Sequence, residues 1–235
     1  MRWFILALLV GCDNGDPGDP DQKVGYRDGV EEGESNSGER GNVKVSEVMW
    51  SGSVTNAGKW DISDIFIELR NEGARPVNIS GWRIQLSGAA SDEWRIPDGD
   101  FDLEVGEHRY IAAKDTGCFP NPDWIIKDLA IPYGDPFRLT LRDRDERLME
   151  PAGDKEQPPF AGGYDLVVSR SMEKVELMFG GRGTSPHSWH YYTPAEVDVP
   201  NNDKVAEACR ERTLASPGRP NSSDYSGAYA SGSFE

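Results

Sequence analysis

The sequence has little from which to build a catalyst. Its 235 residues include only three histidines and three cysteines. None of the motifs G-x-S-x-G, H-E-x-x-H and C-x-x-C occurs, nor does a phosphate-cradling glycine loop, so the common hydrolase, zinc, redox and nucleotide chemistries have no basis here. Basic clusters are missing too. The 25 Lys and Arg face 41 Asp and Glu, a formal net charge of −16 that repels phosphate backbones, so nucleic acid is not an expected partner. The longest apolar run, Trp3 to Val10, is far too short to cross a bilayer. No long segment repeats with a helical period. Hydrophobic residues make up 37% of the chain, and mean hydropathy is −0.63. That deficit is concentrated at the two ends. Seven Trp, eight Tyr and eight Phe leave the middle able to form a β-rich core.

What is present begins with an address. Arg2 precedes the apolar run, the layout of a secretory signal peptide. Leu9-Val10-Gly11-Cys12 resembles the bacterial lipobox. That resemblance implies removal of residues 1–11 and lipidation of Cys12 with palmitate-type chains, and hence a membrane anchor in the cell envelope. Several acyl chains make such an anchor effectively permanent. The mature chain would have 235 − 11 = 224 residues and, having lost Arg2, a charge of −17. Asp13 follows the cysteine, a residue that favours inner-membrane retention in enterobacteria-like sorting; the membrane and leaflet stay open. Residues 12–42 carry Gly, Asp, Glu, Pro and Ser with hardly any large apolar side chain, and read as a flexible acidic linker. The aspartates at 13, 16, 19 and 21 are interrupted by Pro17 and Pro20 and lack a closing bidentate glutamate, so no calcium loop is expected there.

From Val43 the pattern changes to short alternating strands separated by Gly and Pro turns, which predicts an all-β domain over 43–221. Its organising stretch is Asp64 to Trp82. Ile65, Ile67 and Leu69 alternate with Phe66, Glu68 and Arg70, a turn cluster occupies 71–76, and Val77-Asn78-Ile79-Ser80 leads into Gly81-Trp82. This reads as a hairpin with one buried face and Trp82 as a core plug. Strands are also expected at 93–97, over Phe101–Val105 with Asp98-Gly99-Asp100 as a turn, at 108–114 and around Phe137–Leu141. A Pro-rich loop is expected over 151–163, a short helical segment over 202–212, and a disordered tail over 222–235.

The order of several motifs resembles the lamin-tail domain family. Glu47-Val48-Met49-Trp50 with Gly52 resembles its first strand; Ile67-Glu68-Leu69 with Asn71, then Ser80-Gly81-Trp82, resembles its next two. Ser171-Met172-Glu173-Lys174-Val175 and the closing Ser216-Pro217-Gly218-Arg219-Pro220-Asn221 follow in the family's order, with lysine where arginine is usual. The resemblance implies an immunoglobulin-like β-sandwich and a protein-interaction role. Glu47, Trp50, Glu68, Asn71, Gly81 and Trp82 are its structural positions, with Glu68 and Asn71 satisfying backbone groups at a strand end.

Lipid on Cys12 leaves Cys118 and Cys209 to pair in an exported protein, or to stay as two buried thiols. His187 and His190 would face opposite sides of a strand, so no metal site is expected, and no cofactor or catalytic residue is assigned. The expected function is therefore a non-enzymatic, lipid-anchored binding or scaffolding module for an envelope protein or polymer. Trp124, Tyr133, Tyr191 and Tyr192 are its candidate contact residues, or else loop packing. The alternative is a cryptic or accessory hydrolase using Asp143, Asp145 and Glu150, in a charge run that otherwise reads as a solvated strand face.

Overall fold

The structure is a computed structural model that describes residues 40–99, 101–175, 181–193 and 203–223. The expected signal peptide, Cys12, nearly all of the linker, Asp100, Asn202 and the tail from 224 lie outside the described residues.

The first strands are β1 (Val43–Met49), β2 (Ser53–Val54), β3 (Trp60–Asp61), β4 (Phe66–Asn71), β5 (Val77–Asn78) and β6 (Arg83–Gly88). Next come β7 (Asp92–Arg95), β8 (Asp102–Leu103), β9 (His108–Ala112), β10 (Trp124–Ile125), β11 (Phe137–Arg142) and β12 (Leu148–Asp154). The last are β13 (Gly163–Tyr164), β14 (Ser169–Arg170), β15 (Met172–Lys174), β16 (Trp189–Tyr191) and β17 (Thr213–Leu214). Two sheets dominate. One runs β10-β9-β4-β1-β15-β16 and the other β12-β11-β6-β7. Pairing is antiparallel in both except between β9 and β10. Val45, Ile67 and Leu69 of the larger sheet and Ile84, Leu86, Leu139 and Leu141 of the smaller belong to one buried cluster, which also holds Trp82.

The stretch from Asp64 to Trp82 is not a hairpin. β4 pairs with β1 and β9, β5 pairs with β8, and β6 belongs to the smaller sheet. The turn at 71–76 therefore passes the chain between sheets. Asn71 holds it in place: its Nδ2 donates to Arg75 O at 2.8 Å and Leu103 O at 2.9 Å, and its Oδ1 accepts from Gly73 N. A tighter turn follows, closed by Trp82 N donating to Ile79 O at 3.2 Å. Gly81 sits in it with φ of 70°, a conformation that costs L side chains energy, and so delivers Trp82 fully buried into the core.

The larger sheet is buried on both faces, against the expectation of one. Phe66 points away from the main core into a second cluster with Met49, Tyr110, Phe119, Cys118 and Cys209. What covers this outer face is distant in sequence, the loop around Phe119 and the segment from Val205 onward. Other expectations shift locally. The strand over Phe101–Val105 shrinks to Asp102–Leu103, and Val105 is exposed. The Pro-rich loop begins later than expected, because β12 continues through Pro151 to Asp154. β12 is an edge strand, where a missing N–H leaves no ladder bond unmade. The helical segment is a single 3-10 turn, Glu207–Cys209.

Candidate functional site

Strand register brings ionisable side chains into one buried row. Glu68 on β4 lies opposite Glu47 on β1, Glu47 opposite Glu173 on β15, and Glu173 opposite His190 on β16. Residues directly opposite each other share a face. All three glutamates are fully buried. His108 on β9 extends the row, its Nδ1 lying 2.8 Å from Glu68 Oε1. The segment from Ser216 to Ser222 lies across the row and is held by it. Ser216 N donates to Glu47 Oε1 at 2.9 Å, Gly218 N to Glu68 Oε2 at 2.6 Å, and Ser222 N to Glu173 Oε2 at 3.1 Å. Ser222 Oγ donates to the same Glu173 oxygen, and Ser46 Oγ donates to Glu68 Oε1 at 2.7 Å. Asn221 Nδ2 adds bonds to Ser46 O and Lys174 O. The closing motif is thus a strap, and the motif glutamates are its anchors.

Glu68 therefore does satisfy backbone, but in the middle of a sheet rather than at its edge or a strand end. Like charges placed opposite one another, without water, disfavour ionisation. Burial, followed by the charges of Glu173 and Glu68, holds the Glu47 carboxyl well above the usual range. Burial pushes Glu173 up to about 7, against the hydrogen bonds of Ser216 and Ser222.

Two of the three carboxylates of the alternative hydrolase reading, Asp143 and Glu150, are engaged within the fold, while Asp145 is exposed. Asp143 is fully buried rather than solvated; its Oδ1 accepts from Asp145 N and Arg147 N, both at 2.9 Å, and its Oδ2 from Arg147 Nε at 2.6 Å. Glu150 is buried too and pairs with Lys174, which crosses from β15 to β12 and lies 5.9 Å from the Trp189 ring centroid. Burial lowers the Lys174 pKa, and Glu150 opposes that shift. His187 lies in the 3-10 turn Pro186–Ser188 while His190 is on β16 with Nε2 3.9 Å from Glu173 Oε2. Among the described residues no group of His, Cys, Asp and Glu is arranged to hold a metal ion.

Cys118 and Cys209 form a disulfide, with Cα atoms 5.7 Å apart. Around it, Cys118 N donates to Asp64 Oδ2 at 2.6 Å and Ala206 N to Cys118 O at 2.8 Å. The bridge thus joins the loop before β10 to the segment leading into the strap.

A second feature is an aromatic end. Trp50 donates from Nε1 to Ala161 O at 2.8 Å, and its ring lies 5.7 Å from Tyr133. Tyr133 meets Trp60 edge-on at 5.3 Å, and Trp60 stacks on Tyr164 at 5.0 Å. Tyr164 opens onto a groove of about 530 Å³ that Asp165, Arg170, Tyr191 and Thr193 also line. Between Tyr164 and β14 the chain presents Leu166, 82% exposed with φ of 75°, and Val167, 55% exposed. Asp165 Oδ1 accepts from Val167 N and Val168 N, and Tyr164 Oη donates to Leu166 O, so this apolar tip is held in a conformation that a free chain disfavours. Of the expected contact aromatics, Tyr133 and Tyr191 are exposed here, whereas Trp124 and Tyr192 are buried. Trp124 was expected in a loop; it pairs as β10 against β9 and packs edge-on against Phe101 at 5.2 Å. Leu166, Val167 and Trp60 carry no functional signal in the sequence, and Glu173 stands there only as one position of the Ser171–Val175 motif. Apolar residues in a predicted loop carry no periodic signal, and Glu173 reads as the outward position of a strand until its cover is known.

Compared with known proteins, the chain matches no family model and none of the curated proteins.

Proposed function

We propose that this chain is an exported, lipid-anchored, non-enzymatic protein of the lamin-tail-domain type, with an immunoglobulin-like sandwich, that docks a protein of the bacterial envelope through its aromatic end. One observation carries the docking reading. Among the described residues eight large hydrophobic side chains are exposed, and five of them lie in or beside one aromatic end. Tyr191 lines the groove with Tyr164. Trp60 stacks on Tyr164 and meets Tyr133, while Leu166 and Val167 follow Tyr164 closely in the chain. Clustered exposure of that kind, rich in Trp and Tyr, is what protein interfaces use. A protein suits the aliphatic tip better than a polysaccharide does, because sugars stack on rings and gain little from Leu166 and Val167. The disulfide suits an exported chain. The occupied carboxylates at 143 and 150 favour binding over hydrolysis.

The test is capture from envelopes with the full-length protein, with a photo-crosslinker at residue 164 to identify what touches the groove. The triple variant Leu166→Ser, Val167→Ser, Tyr191→Ala is expected to lose about 30-fold or more in affinity for that partner, the scale of an interface hot spot. Its melting temperature should stay within a degree or two of wild type, since these side chains are exposed. Equal capture by the variant sinks the assignment; retention by purified wall polymer instead of protein moves it to the polymer.

The anchor is tested separately. Cys12→Ser removes the thiol on which the lipobox modification depends and is expected to shift the protein from the membrane pellet to the soluble fraction. An unchanged pellet would show that the anchoring lies elsewhere.

A further inference from the structure

The strap over the glutamate row contains more oxygen contacts than hydrogens. Ser216 Oγ lies 3.2 Å from Glu47 Oε2 and also within hydrogen-bond contact of Glu173 Oε1. A serine hydroxyl has one hydrogen and can donate to only one of them. The other contact sets lone pair against lone pair unless that carboxyl itself carries a hydrogen and donates to Ser216. Both carboxyls are fully buried, so water cannot supply it. The remaining acceptor sites are already used in ways that suit anions, with Ser222 N and Oγ on Glu173 Oε2 and Ser216 N on Glu47 Oε1.

We propose that Glu47 and Glu173 share a proton through Ser216, and that this proton closes the C-terminal strap: when it leaves, the strap opens. The charged and titratable groups facing the pair are Glu68 on β4, His190 on β16 and, beyond Glu68, His108 on β9. From the strap itself comes Arg219, whose guanidinium pairs with Asp203 at 3.0 Å. With the proton present, the chain of contacts runs Glu47 to Ser216 to Glu173, every oxygen pair holding one hydrogen. Without it, two carboxylates face one hydroxyl beside a third carboxylate. The route to relief is solvation of the row, and the strap is the segment bonded across it. Opening has a consequence at the groove. Thr193, which lines it, donates from N to Ser222 Oγ at 2.9 Å, so the strap also ties down one wall.

The direction with pH follows from proton counting. The raised Glu173 value means the folded chain binds more protons than the unfolded one between the ordinary glutamate range and about 7. Closure is therefore fully favoured at low pH and weakens as pH rises through that window. The behaviour belongs to the pair rather than to either residue.

The experiment uses the full-length protein. Carboxyl carbon NMR of wild type is expected to show the Glu47 and Glu173 pair titrating above the ordinary glutamate range. Hydrogen-exchange protection of the Ser216, Gly218 and Ser222 amides should fall by up to about tenfold per pH unit between the ordinary glutamate range and about 7, and level off above it. Glu173→Gln places an amide N–H toward Ser216, standing in for the protonated carboxyl, and should make protection independent of pH and no weaker than the wild-type low-pH value. Ordinary titration of both carboxyls, or flat protection in wild type, overturns the proposal. Should Glu173→Gln fail to fold, the wild-type titration decides alone. None of these readouts depends on what the groove binds.

Discussion

Replacing Trp82 by alanine is expected to destabilise the protein by about 3–5 kcal/mol, the range for deleting a buried aromatic side chain and leaving a cavity. The ring is fully buried in the cluster shared by both main sheets, so neither sheet can close alone over the space it leaves. For a domain of this size the melting temperature should drop by roughly 10 °C or more. Trp82→Phe separates volume from polarity. The indole Nε1 is buried and has no hydrogen-bond partner among the described residues, so phenylalanine loses packing but also removes an unmet donor. Its cost should be well below that of alanine. Thermal unfolding of the two variants side by side checks this. Equal losses would show that Trp82 acts through something other than filling the core.

The second large effect is at the disulfide. Cys118 and Cys209 are 91 residues apart, so the bridge removes much of the freedom of the unfolded chain. On the chain-entropy account its loss costs about 4–5 kcal/mol. The expected result for the double variant Cys118→Ser, Cys209→Ser is a lower urea midpoint with little gain from added reductant. Wild type should fall toward it when reduced. The site also predicts where loosening begins. Phe66, Tyr110 and Phe119 share the second cluster with the bridge, and Ala206 N bonds to Cys118 O. Exchange protection should therefore drop first in the loop before β10 and in residues 205–209, while β6 and β11 keep theirs. Uniform loss across both sheets would mean the bridge acts only on the unfolded chain.

The two effects act on different layers. Trp82 belongs to the core between the sheets, whereas the disulfide and the strap belong to the outer face of the larger one. Loss of strap closure at high pH should therefore add to the disulfide's effect more than to that of Trp82, because interactions sharing one cover couple and distant ones do not.

Much of the architecture was legible because alternation is local. β1, β4, β6, β7 and β11 all fall where apolar residues recur at every second position, whereas β9 falls on a short unbroken apolar run, Tyr110 to Ala113. Trp82 was readable as a plug from the glycine before it and its bulk. Counting left Cys118 and Cys209 as the candidate pair once Cys12 is given to lipid. The misreadings share one cause. Phe66 and Glu68 alternate with Ile67 and Leu69, so they read as solvent-facing, and the same logic made Asp143 a solvated charge. Phe66 and Glu68 are buried by segments the local pattern cannot include; Gly218, which covers Glu68, is 150 residues away. Asp143 instead holds its own turn, through Asp145 N and Arg147, which alternation does not register. The hairpin expected between Asp64 and Trp82 failed in the same way. A turn cluster reverses a chain equally well within one sheet or between two, and only strand partners decide which.

By itself the sequence determined an all-β chain, its main strands and the Trp82 plug, since these depend on side-chain period and bulk. It narrowed Cys118 and Cys209 to a bridge or two buried thiols, and their Cα separation of 5.7 Å in the fold decided for the bridge. Tertiary structure alone decided that Glu68, Glu47, Glu173 and His190 stand in one row, that the strap covers them, and that Tyr164, Tyr191 and Thr193 share a groove. Register and cover are relations between distant strands, and the free energy of a buried charge or an exposed apolar side chain is set by its neighbours rather than by its place in the chain.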